Sequence, residues 1–129
     1  MRPVKSLALA LMLAMAPMAA GAQSLIASYA AFIGEDDLFN SSGTRLGEFW
    51  QILRQDRANY HRFGLRQRGD QGDPFFADAN NRATLEQLLR NSDTHPSTRR
   101  LIISGNVPVY VEIFGYGNRM TAVRVQVPG

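Results

Sequence analysis

The chain has 129 residues and no cysteine, and its 14 Lys and Arg against 11 Asp and Glu give a formal charge of +3. Without cysteine there is no disulfide framework, thiolate nucleophile, lipid attachment through sulfur, or Cys-ligated zinc or iron–sulfur centre. A positive balance invites a nucleic-acid partner, so the location of the charge decides the matter.

Arg2 and Lys5 stand ahead of an unbroken apolar run from Leu7 to Ala16, and small residues end the segment at Ala20, Gly21 and Ala22. A positive start, a short apolar middle and an A-x-A end make the pattern of a secretory signal peptide, here residues 1–22 with cleavage before Gln23. The run is too short for a bilayer span, which takes about 20 apolar residues. The expected product is a single globular domain, residues 23–129, exported to the periplasm or beyond the cell. No transmembrane segment is expected after cleavage. The basic residues of that domain are all arginine, 12 against 11 acids, a balance of +1. Most of the excess charge leaves with the signal, and no nucleic-acid partner is expected.

Leu25 to Ile33 alternates with period two, both faces largely apolar, which suits a strand. Gly34 and the acids Glu35, Asp36 and Asp37 end it. Asn40-Ser41-Ser42-Gly43 is a turn cluster, and Thr44 after it is a candidate N-cap. Leu46, Phe49, Trp50, Leu53 and Tyr60 then recur at helical spacing, predicting an amphipathic helix over about 45–63. Gly64 supplies the left-handed residue that ends it.

Leu65 to Asp73 carries two glycines, two arginines and two aspartates, and reads as an exposed loop. Asp73-Pro74 pairs a cap with a preset φ, predicting a second helix over about 74–90, with Asp78 able to start a fresh one after a short turn. Pro96 and Gly105 bracket a short helix near 96–103. Val107, Val109, Val111 and Ile113 alternate along one run; Thr121, Val123, Val125 and Val127 alternate along another. The two predict an antiparallel hairpin over about 107–115 and 119–127, turning near Gly117-Asn118. Pairing Val111 with Val125 sets Glu112 opposite Arg124. The fold class is α+β, with strand 25–33 joining the hairpin as a third member.

Chemistry-bearing residues collect between 57 and 73, at the end of the long helix and in the loop behind it. His61, near a helix C-terminus, is a candidate acid–base group, and Asp56, Asp70 and Asp73 are its candidate partners. Arg57, Arg62, Arg66 and Arg68 form a candidate site for an anionic ligand. Asp70, Asp73, Asp78, Asn80 and Asn81 offer oxygen ligands, but not in the spacing of a calcium loop, and no His-x-x-x-His pair occurs. No metal site and no cofactor are expected. With no catalytic motif present, the leading expectation is a small exported, non-catalytic module that binds a partner protein or envelope component. The alternatives are a small hydrolase using His61 with a nearby Asp, and an arginine-based binder of an anion.

Overall fold

The computed structural model describes residues 23–129; the signal-peptide expectation for residues 1–22 lies outside them. The described residues form strand β1 (Ser24–Ile33), a 3-10 turn (Glu35–Leu38), helix α1 (Phe49–Ala58) and a π turn (Asn59–Phe63) continuing it. Helices α2 (Ala79–Arg90) and α3 (Pro96–Ser104) come next, then strands β2 (Val107–Tyr116) and β3 (Arg119–Gln126). The strands make one antiparallel sheet in the order β1-β2-β3. The α+β class, the hairpin and its third strand match the sequence expectation, and so does the register: Val111 faces Val125 and Glu112 faces Arg124. The Arg124 guanidinium donates to Glu112 at 2.8 Å.

Period two explains why one sheet face is wet and the other dry. Tyr29, Ala31, Ile33, Val109, Val111, Ile113, Val123 and Val125 are buried. Three helices cover that face, contributing Phe49, Ile52 and Leu53 from α1, Leu85 and Leu89 from α2, and Ile102 from α3. No helix among the described residues is long and apolar enough to cross a membrane.

Both main helices start later than their sequence patterns predict. The first begins at Phe49, not near 45, because the preceding chain is already engaged elsewhere. Leu46 N–H donates to Leu38 C=O at 2.7 Å, and Phe39 bridges Arg45, which holds this stretch extended. Thr44 does not cap the helix; its own N–H donates to Asn40 Oδ1. Glu48 takes the cap position, with its N–H on Gln51 Oε1 at 3.1 Å. The second helix begins at Ala79, not 74. Asp73 does behave as a cap, accepting from Phe75 N–H at 2.8 Å and Phe76 N–H at 2.6 Å. The turn it stabilises leads Phe76 into the core rather than into a helix, and Asp78 then caps α2 by accepting from Asn80 N–H.

Candidate functional site

The α1 stripe that enters the core runs Phe49, Ile52, Leu53 and then Asp56 and Arg57. Helical spacing thus carries an acid and a base under the same surface as the apolar residues before them. Arg57 is fully buried, its guanidinium lying 4.0 Å from the Tyr29 ring centre and 4.8 Å from that of Tyr60. Its Nε donates to Asp56 Oδ2 at 2.8 Å, and its Nη1 donates to Asp73 Oδ1 at 2.8 Å and to Gln71 C=O at 2.9 Å. His61 Nε2 meets the same Asp73 oxygen at 2.7 Å. Asp56, Arg57, Asp73 and His61 are therefore one connected network.

The two acids of this network sit in different environments. Burial pushes the Asp73 carboxyl up, but the hydrogen bonds from His61, Arg57 and the Phe76 and Phe75 amides outweigh it and hold the group below its ordinary value. Asp56 has only the Arg57 bond, and its Oδ1 has no partner among the described residues. Burial pushes its carboxyl up to about 8, against the pull of Arg57. One buried arginine serves two acids, and burial raises the one with fewer hydrogen bonds.

The π turn adds a second layer. Its wider spacing lets Asn59 turn inward, where Nδ2 donates to Asp37 Oδ1 at 2.9 Å and to Asp36 C=O at 3.2 Å. Gln55 Nε2 donates to Asn59 Oδ1 at 2.9 Å. Asp37 also accepts from Gly34 N–H, and burial pushes its carboxyl up to about 6. Gly64 closes the turn at φ +68°, the left-handed position expected for it.

The loop behind the turn is not free. Ala30 N–H donates to Gln71 Oε1 and Gln71 N–H to Ala30 C=O, both at 2.9 Å, while Phe32 N–H donates to Asp70 Oδ1 at 2.8 Å. With its amide nitrogen facing inward, Gln67 donates to Phe32 C=O at 3.0 Å. The segment expected as an exposed loop therefore satisfies the outer edge of β1, where an unpaired strand would otherwise recruit another chain.

These contacts sort the candidates. Asp56, Arg57, His61 and Asp73 converge, whereas Asp70 serves the β1 edge. Arg57 is enclosed and does not reach solvent. Arg62 lies over Phe63, and Arg66 lies 4.0 Å from the Tyr60 ring centre with its Nε on Tyr60 C=O. Arg68 is exposed. The oxygen-rich set disperses: Asp70 holds β1, Asp73 holds Arg57, and Asp78 caps α2. No group of three or more His, Asp or Glu among the described residues is placed to hold a metal ion.

Sequence reasoning missed Tyr29, Asp37, Asn59 and the acids Glu35 and Asp36, read only as the end of a strand. Glu35 and Asp36 line a cleft of about 590 Å³ between the 3-10 turn, the Asn40 turn and the π turn. Asn59 and Gln55 supply amides to it, and Phe39, Phe63 and Leu65 supply apolar surface. Compared with protein-family models, curated proteins and solved structures, the chain matches none.

Proposed function

We propose that the chain is a small exported, non-catalytic module that binds a partner protein or envelope component, with the cleft beside the π turn receiving a positively charged, partly apolar group. One observation carries this. Glu35 and Asp36 line the cleft without an ion-pair partner among the described residues, while Phe63 and Leu65 are left 44% and 45% exposed beside them. The acids would attract and orient a cation, and the apolar residues would supply the desolvated contact that gives it affinity. Asn59 is already tied to Asp37 and Gln55, so that part of the wall is rigid before anything binds. Export rests on the pattern of residues 1–22.

Peptides selected from a display library against residues 23–129 are expected to carry Lys or Arg beside apolar residues. Glu35→Gln with Asp36→Asn should weaken their binding about two- to thirtyfold, the range of two exposed ion pairs. Binding indifferent to both the double variant and added salt would dismiss the cleft.

A small hydrolase using His61 and Asp73 is the alternative, favoured by their 2.7 Å contact, with Nδ1 as the nitrogen left to take a proton. It stands if the protein turns over any of a panel of ester, phosphodiester, glycoside and peptide substrates and His61→Gln abolishes that turnover. An inert wild type ends it. An anion held by Arg62, Arg66 and Arg68 has less support, since Arg57 is enclosed and Arg66 is held on Tyr60.

A further inference from the structure

Strand β3 ends the described sheet, and the hydrogen bonds at the opposite edge reveal which of its backbone groups point outward. In antiparallel strands each residue sends both N–H and C=O to one side, and successive residues alternate. On β1, Ala30 and Phe32 bond outward to the 67–71 loop. Tyr29, Ala31 and Ile33 therefore bond inward, to their partners Val111, Val109 and Val107. It follows that Tyr110, Glu112 and Phe114 on β2 bond to Gln126, Arg124 and Ala122. Val123 and Val125 must then direct their N–H and C=O groups away from the sheet. No group among the described residues bonds them there.

Those two valines are nevertheless only 8% and 6% exposed. A groove of about 780 Å³ runs along their edge, with Asp93, Thr94, His95 and Thr98 on its far wall. The outward backbone groups of β1 are bonded by a loop of the chain itself, and those of β3 are bonded by none of the described residues. Within the groove Arg124 is neutralised by Glu112, while Asp93 has no ion-pair partner among the described residues. The unpaired charge of the groove is negative.

We propose that this edge takes an extended segment of a partner polypeptide as a fourth strand, with a Lys or Arg of that segment set against Asp93. Four outward backbone groups at period two specify a strand rather than a helix or a small molecule. The charge favours a basic segment over a second copy of this edge, whose own Arg124 is already paired. The groove shares no residue with the cleft above, and the proposal stands independently of it.

The test is amide exchange by NMR on residues 23–129, titrated with a short peptide of alternating Thr and Val carrying one central Lys. In the free protein the unbonded Val123 and Val125 amides are expected to exchange faster than those of Ala122 and Arg124, which are bonded to β2. Bound peptide should slow the two valines at least about tenfold, as a new backbone bond must open before exchange. Val125→Pro removes one outward N–H and no bond to β2, and is expected to abolish binding. Asp93→Asn, at an exposed residue, keeps the fold and should weaken binding about two- to fivefold, the range of one exposed ion pair. A Glu in place of the peptide Lys should weaken it at least as much. No slowing at either valine with about 1 mM peptide, the weak end of measurable affinity, overturns the proposal. So does slowing that appears without peptide and grows with protein concentration, which would make a second copy the occupant.

Discussion

Replacing Asp56 by Asn tests the account of the buried network, because it removes a titration while keeping an acceptor for Arg57 Nε. Burial pushes the Asp56 carboxyl up from 3.8 to about 8 in the folded chain. The folded state then holds a proton that the unfolded state has released, throughout the interval between those values. A raised carboxyl has its full stability below pH 3.8 and loses it progressively as pH rises toward 8. One proton corresponds to a loss of about 1.4 kcal/mol per pH unit inside the window. The amide of the variant carries no such penalty, so the stability of Asp56→Asn relative to the natural chain should increase by about 3 kcal/mol between pH 5 and pH 7. Urea denaturation at pH 5, 6 and 7 measures it, and taking the difference cancels the other titrating groups. A difference, variant minus natural chain, that stays constant across that range or falls toward pH 7 would show that Asp56 is ionised beside Arg57 and that the assignment of the proton is wrong.

Asp73 should behave in the opposite sense. Asp73→Ala leaves Arg57 with one carboxyl partner and removes the acceptor of two amides, so about 3–5 kcal/mol of stability should be lost at pH 7 by urea denaturation. Its carboxyl is held low, so its contribution is complete above pH 3.8 and disappears as pH falls through its folded value; the gap to the natural chain should close in acid. Asp70→Ala releases the Phe32 and Gln67 amides, costing about 1–3 kcal/mol. Light scattering should then show concentration-dependent association as the β1 edge opens, and a variant that stayed monomeric would weaken the edge-covering role of the loop.

The sheet was legible because its signals are local. Period-two valines fix which face is buried, and matching the valine faces fixes the register of β2 on β3. Helix starts were less legible because a cap residue is satisfied by any turn that brings an amide to it. Asp73 accepts two such amides without a helix following, since burying Phe76 is worth more than extending α2 backwards by one turn. Thr44 lost its role to a contact that its own neighbourhood does not encode, the pairing of Leu46 with Leu38.

The site shows the same division in sharper form. Arg57 looks like its neighbours in composition, one of several arginines between residues 54 and 68, and a count treats them alike. Periodicity separates them: stepping on from Phe49 and Leu53 by three and four places reaches Asp56 and Arg57, and passes over Arg54 and Arg62. An Asp–Arg pair at stripe positions is a core element, because a carboxyl and a guanidinium taken out of water must each find a partner inside. Arg57 finds Asp56 next door and Asp73 across 16 residues, which is why the loop between cannot be free. His61 joins through the same oxygen. The second layer had a weaker trace, a single Asn inside a helical run, and the acids of the cleft had only their run of three. Those acids acquire meaning when the π turn swings Asn59 onto Asp37, since that contact fixes which carboxylate turns inward and leaves Glu35 and Asp36 to face the cleft.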